Sequence, residues 1–142
     1  MVKSYPLSLI EIEKLGKDKG NDIGILCAVY NALNEIDSHI RDYSKEEFMK
    51  DSRTKNAVCM LLIRVGEILP NLSQGYKELF TADVDKIRQF RNKIAHEYHR
   101  LDIARVWKYL NEDFQELKYE IGQLFQDFSR LPENRKILID KE

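Results

Sequence analysis

The chain has 142 residues, of which 43% are hydrophobic and 33% charged, with 23 basic against 24 acidic side chains. This length favours one domain that buries its own core, and 6 Gly and 3 Pro are too few for a turn-rich β-protein. No apolar run approaches the roughly 20 residues of a membrane span, and Met1 to Gly20 carry no secretion signal. The sequence therefore predicts a cytoplasmic protein without membrane association.

Four segments carry apolar residues at steps of three and four, which predicts amphipathic helices. They cover residues 22–43, 52–69, 83–99 and 103–129. Ser44 and Glu47 have the spacing of a capping box, which predicts a short helix over 44–50. Pro70 and Pro132 end the second and fourth long helices.

These helices, joined by short connections, predict an all-α fold, an antiparallel four-helix bundle with extra short helices. We expect the bundle to span residues 22–130. Residues 1–21 form a lead-in with one short helix over 7–15, and residues 131–142 form a charged tail. The run from Ile137 to Ile139 is a weak strand candidate. Cys27 and Cys59 each lie among apolar residues at helical spacing, so we expect buried thiols rather than a disulfide or a catalytic thiol.

The segment Lys86–Arg100 is the most informative part of the chain. It holds five basic residues and one acidic residue, which gives it a formal charge of +4 in a nearly neutral protein. Within it, Arg91 and Asn92 are followed by His96 and then Tyr98. An anion-binding guanidinium beside a proton-carrying imidazole is what chemistry on a phosphodiester requires.

Helical geometry restricts how these side chains can meet. At about 100° per residue, Asn92, His96 and His99 share one stripe, and Arg91 and Tyr98 share the adjacent one. Arg91 and His96 lie about 140° apart, so one ideal helix does not aim both at one atom. They can flank a groove, the helix can be distorted, or a two-fold dimer can bring two copies of each into one cleft. We favour the dimer because it requires no strain.

The pattern Arg91-Asn92-x-x-Ala95-His96-x-Tyr98 resembles the signature of the HEPN superfamily, and specifically of its HepT-like toxins. The similarity covers about residues 22–130 and includes three flanking stretches. These are Phe48-x-x-Asp51-x-Arg53-Thr54-x-x-Ala57-Val58, Val65-Gly66-Glu67 and Val106-Trp107.

The resemblance implies a helical homodimer whose paired motifs line a cleft. It also implies the toxin of a toxin–antitoxin system, acting as a metal-independent endoribonuclease without a cofactor. By the same resemblance, Arg91 and His96 are catalytic and Asn92 supports them. The antitoxin resembles a minimal nucleotidyltransferase and silences the toxin by adding AMP to the hydroxyl of Tyr98.

The residues themselves are suited to this chemistry. RNA can be cut by its own 2′-hydroxyl, provided that a base removes the hydroxyl proton and an acid protonates the leaving oxygen. Histidine serves in either role near neutral pH, and the planar fork of arginine binds phosphate oxygens. We expect products that end in a 2′,3′-cyclic phosphate, and no cleavage of DNA.

Several residues have more than one interpretation. Glu67 is expected to be structural, as an ion-pair partner that fixes Arg91, rather than catalytic. Arg88, Lys93 and Arg100, together with Lys86, either contact the RNA backbone or simply solvate the helix.

The order His96-Glu97-Tyr98-His99 does not match the four-residue histidine spacing of a zinc helix, so we predict no metal site. Glu97 stands where many relatives carry glycine. This departure leaves open the alternative of a non-catalytic HEPN dimer that binds a nucleotidyltransferase partner or a nucleotide.

Overall fold

The computed structural model describes residues 19–132, so the predicted helix over 7–15 and the strand candidate at Ile137–Ile139 lie outside the described residues. All the regular structure in this range is helical, which confirms the predicted all-α fold. The helices are α1 (Lys19–Ile40), α2 (Lys45–Lys50), α3 (Ser52–Ile68), α4 (Gln74–Lys77), α5 (Val84–Glu97), α6 (Ile103–Asn111) and α7 (Asp113–Phe128). Two 3₁₀ turns, Leu69–Asn71 and Tyr98–Arg100, follow α3 and α5.

Contacts between the long helices show that they pack antiparallel. Tyr30 of α1 meets Phe125 of α7 with ring centroids 5.5 Å apart, whereas Asp37 farther along α1 pairs with Lys118 of α7 at 2.6 Å. Residue numbers thus rise along one helix as they fall along the other. The predicted antiparallel bundle is correct for this part of the chain.

The predicted apolar stripes form the core. The buried side chains of these stripes are Leu26, Val29, Leu33, Ile36, Ile40, Val58, Leu62, Val65, Leu69, Val106, Leu110, Phe114, Leu117, Ile121, Leu124 and Phe128. At the edge of this core, Trp107 packs against Phe48 of α2 with ring centroids 5.1 Å apart. Cys27 and Cys59 are buried thiols, as predicted.

Polar side chains fix the ends of the helices. Ser44 and Glu47 form the predicted capping box at the start of α2. Asp51 caps α3 through the backbone N–H of Thr54, and it also accepts a 2.6 Å hydrogen bond from the hydroxyl of Tyr43. These donors favour the carboxylate and lower the pKa of Asp51 to about 2. The cap therefore stays ionised across the physiological range.

The predicted fourth helix is wrong in one respect, because it is interrupted at Glu112. This residue has φ −118° and ψ −80°, which separates α6 from α7. The side chains of Asn111 and Gln115 donate to backbone carbonyls of the last turns of α6, at Trp107 and Leu110. Side-chain donors thus occupy carbonyl groups at the break, as at other helix ends.

The connection between α3 and α5 is held by two buried carboxylates. Asp22 of α1 accepts hydrogen bonds from the backbone N–H and the hydroxyl of Ser73, at 2.8 and 2.9 Å. The carboxylate of Glu120 on α7 accepts hydrogen bonds from the backbone N–H and the hydroxyl of Thr81. Asp83 caps α5 by accepting hydrogen bonds from the backbone N–H groups of Asp85 and Lys86. These contacts fix the point at which α5 begins.

Candidate active site

A close contact between α3 and α5 positions Arg91, the first residue of the motif. Gly66 of α3 faces Arg91 of α5, and a Cβ added at Gly66 would overlap Cβ of Arg91 and lie 2.8 Å from its Cγ. The same added atom would lie 3.3 Å from the carbonyl oxygen of Ile87. Only glycine lets the two backbones approach this closely. The arginine side chain therefore leaves α5 along the surface of α3.

Arg91 is held by two partners. Its Nη2 donates to Oε1 of Glu67 at 2.6 Å, and its Nη1 donates to Oδ1 of Asn92 at 2.9 Å. Its Nε is buried and has no hydrogen-bond partner among the described residues. The side chain retains 26% of its exposure. Each terminal nitrogen carries two hydrogens, so the anchored guanidinium keeps donors for an anion.

His96 lies one turn beyond Asn92, and its side chain is exposed. Arg91 packs against α3, whereas His96 points into solvent from another stripe of α5. The two residues lie about 140° apart around the helix, and no hydrogen bond joins their side chains in the described part of the chain. Asn92 is also exposed and lies between them on the helix.

Tyr98 lies where α5 changes to a 3₁₀ turn. Glu97, the last residue of α5, has φ −126° and ψ 31°. The hydroxyl of Tyr98 donates to Oδ1 of Asn56 on α3, and the side chain is 36% exposed. Partial burial, with a smaller contribution from Cys59, raises the pKa of the Tyr98 hydroxyl above its usual value. The hydroxyl therefore stays protonated and acts as a donor near neutral pH.

Asn56 is a site residue that the sequence does not indicate. It falls between Arg53-Thr54 and Ala57-Val58 in the stretch that resembles the family, but an exposed asparagine has no pattern of its own. Its contact with Tyr98, like that of Glu67 with Arg91, comes from the antiparallel packing of α3 on α5. The side chains of Tyr98 and Arg91 therefore both contact α3.

The predicted RNA-binding residues Arg88, Lys93 and Arg100 are all exposed. Arg88 pairs with Asp85 at 3.6 Å, and no ion pair of Lys93 or Arg100 with another described residue is present. Within residues 19–132, no three His, Cys, Asp or Glu side chains are placed to hold a metal ion. None of the helices in the same range combines the length and the apolar character needed to cross a membrane.

The all-α bundle and the motif on α5 define a helical domain of the HEPN type. A family model described as ribonuclease HepT-like matches residues 29–124. The chain belongs to this family.

Three relatives show the extent of the similarity. "Probable ribonuclease HepT" of Thermococcus cleftensis is 28% identical over 97 residues, which are 68% of this chain and 88% of the relative. "Putative RNase MJ0125" of Methanocaldococcus jannaschii is 23% identical over 100 residues, covering 70% and 86% of the two chains. "Putative RNase TTE0752" of Caldanaerobacter subterraneus is 25% identical over 88 residues, covering 61% and 79%. No solved structure matches this chain.

Proposed function

We propose that the protein is a metal-independent endoribonuclease that acts as the toxin of a toxin–antitoxin pair. The anchored guanidinium of Arg91, on the same helix as the exposed imidazole of His96, is the observation that carries this proposal. Glu67 and Asn92 each accept one hydrogen bond from the guanidinium, and the other N–H groups of its terminal nitrogens are available to bind a phosphate. The three relatives described above are named probable ribonuclease or putative RNase, which agrees with the ribonuclease part of the proposal.

In the proposed reaction the 2′-hydroxyl of one nucleotide attacks the adjacent phosphorus atom. The imidazole of His96 accepts the hydroxyl proton and then donates it to the departing 5′-oxygen. Arg91 binds the phosphate oxygens, on which negative charge increases in the transition state. The products are a 2′,3′-cyclic phosphate and a free 5′-hydroxyl.

A homodimer would bring the imidazole of His96 of one subunit to the guanidinium of Arg91 of the other. Because Arg91 and His96 diverge within one chain, we propose that two copies of the motif face each other across a two-fold axis. Each phosphate then meets groups from both subunits. The exposed side chain of Met60, with 66% of its surface accessible on α3, lies one turn from Asn56 and fits such an interface.

Two substitutions test the activity directly. We expect His96→Ala and Arg91→Ala each to lower RNA cleavage at least about 100-fold, since each removes a group that acts in the transition state. Circular dichroism should show that both variants remain helical. End-group analysis should find cyclic phosphates, and full activity should persist in EDTA. Cleavage that survives both substitutions would refute the proposal.

We propose that a nucleotidyltransferase antitoxin silences the enzyme by adding AMP to Tyr98. The exposed hydroxyl is accessible for transfer, and the added phosphate brings negative charge close to the motif. The adduct would block the RNA backbone by its bulk and by repulsion.

Mass spectrometry of the protein co-expressed with a nucleotidyltransferase encoded beside its gene tests this regulation. AMP should be found on Tyr98 and should be absent from Tyr98→Phe, which should still cleave RNA. Modification of a different tyrosine would contradict the assignment of Tyr98.

A further inference from the structure

We propose that the groove between α5 and α6 binds a nucleotide of single-stranded RNA next to the cleavage site. This inference rests on the ribonuclease activity proposed above. The groove consists of two adjoining cavities of about 330 and 140 Å³. Both are lined by Lys86, Phe90 and Tyr109, so they form one continuous groove on a side of α5 that does not face α3.

The larger half of the groove is positively charged. Lys86, Lys93 and Arg105 line it, and Asp102 is its single carboxylate. No ion pair of these three cations with another described residue is present. Asp102 is engaged as the cap of α6, where it accepts from the backbone N–H of Arg105 at 3.2 Å. Three cations without partners in a concave surface attract a phosphate group.

Aromatic rings form the wall between the two halves. Phe90 and Tyr109 pack with ring centroids 4.9 Å apart, and both are only half-buried. Nucleobases stack on such rings, and positive charge combined with aromatic surface is typical of proteins that bind single strands. A base inside a duplex is already stacked, so this wall favours unpaired RNA.

The smaller half carries the opposite charge. Asp83 and Asp113 line it, against Lys86 alone. Both carboxylates repel phosphate, and Asp113 together with Oδ2 of Asp83, whose Oδ1 caps α5, can accept hydrogen bonds from the amino groups of bases. The charge difference therefore orients a nucleotide, with its phosphate towards Lys93 and Arg105 and its base against the aromatic wall.

The groove opens beside the proposed catalytic residues. Lys93 precedes His96 by three residues, and Gln89, which also lines the groove, precedes Asn92 by three. Residues three apart are neighbours on a helix surface. A strand with its scissile phosphate at His96 can thus place an adjacent nucleotide in the groove.

The test uses a double charge reversal, Lys86→Glu with Arg105→Glu. Each position is the third residue of its helix, where an acidic side chain is favourable, so the variant is expected to fold. The control is Arg41→Glu with Lys45→Glu, which makes the same change in net charge at exposed residues that do not line the groove. Tyr109→Leu tests the aromatic wall separately.

Binding is measured by fluorescence anisotropy with a labelled single-stranded RNA whose 2′-hydroxyls are methylated, so that it cannot be cleaved. We expect the double reversal to weaken binding at least about tenfold and to reduce the salt dependence by about 1.4 in log–log slope, since two cations are lost. Tyr109→Leu should weaken binding about tenfold, and the control should change it less than about twofold.

Equal affinity of the wild-type protein, the double reversal and Tyr109→Leu would overturn the groove proposal, even if the enzyme cleaves RNA. Conversely, groove-dependent binding without any cleavage of unmodified RNA would support the groove and refute the ribonuclease. With cleavable RNA, the double reversal should raise KM and leave kcat nearly unchanged.

Discussion

The contact between Arg91 and Glu67 has two opposing effects on the site. Glu67 fixes the direction of the guanidinium, but its carboxylate also offsets part of the charge that a phosphate would meet. Their side chains are 26% and 52% exposed, so water screens the pair and it contributes roughly 0–1 kcal/mol to stability. Its importance therefore lies in positioning Arg91.

Substitutions at Glu67 separate these effects. Glu67→Gln keeps an acceptor for Nη2 and removes the charge, so we expect a lower KM for RNA and a kcat within about twofold of the wild type. Glu67→Ala removes the acceptor, and kcat should fall about tenfold as Arg91 loses its orientation. Steady-state kinetics on one RNA substrate measures both. Equal kinetic effects of the two substitutions would contradict a positioning role.

Individual site residues differ in how far the sequence predicts them. Arg91, Asn92 and His96 stand at fixed spacing on α5, so their stripes follow from helical geometry alone, whereas Tyr98 lies in the 3₁₀ turn that follows. Asn56 contacts this motif only because α3 and α5 pack antiparallel. Contacts between helices depend on register, which short-range patterns do not specify.

At the scale of helices, the approach of α3 to α5 depends on the missing side chain of Gly66. Gly66→Ala must push the helices apart or displace Arg91, because the added Cβ overlaps that residue. We expect it to destabilise the fold by about 1–3 kcal/mol and to reduce cleavage. The measurement is urea unfolding together with the cleavage rate.

Gly122 of α7 provides the matched control. A Cβ there would lie 3.6 Å from the hydroxyl oxygen of Tyr30, which is an ordinary contact. Gly122→Ala should therefore stabilise the protein by about 0.5–1 kcal/mol through helix propensity. Destabilisation by both substitutions to the same extent would show that close packing at Gly66 is not the cause.

Because Asp51 caps α3 as a carboxylate, we expect the free energy of unfolding to decrease at acidic pH. The folded-state pKa of Asp51 lies at about 2, below its ordinary value of 3.8, so its contribution is complete above pH 3.8 and is lost as the pH falls towards 2. Asp51→Asn should remove this part of the acid dependence. Urea unfolding at a series of pH values measures it, and an equally steep loss in both proteins between those limits would contradict the assignment.

The break at Glu112 shows where helix prediction from sequence ends. Apolar residues keep helical spacing from Leu110 through Phe114 to Leu117, so the buried stripe continues across the break. No glycine or proline marks the position. The spacing of apolar residues predicts which face of the helix is buried. It does not predict a local change in backbone angles that keeps the same residues buried.

For the whole molecule, the divergence of Arg91 and His96 has a consequence for assembly. Arg91 lies against Glu67 of α3, and His96 is exposed on another side of α5. If each reaction centre combines Arg91 of one subunit with His96 of its partner, a dimer contains two such centres. Substitutions in different subunits can then complement each other.

Mixing inactive Arg91→Ala and His96→Ala proteins tests this arrangement. In a mixed dimer one centre carries both substitutions and the other carries neither. After random exchange of subunits, activity should return to about a quarter of the wild-type level, because half of the dimers are mixed and each has one intact centre. Sedimentation of the wild-type protein should give twice the mass of one chain. A mixture of exchanged dimers that stays inactive would place both groups of each centre in the same subunit.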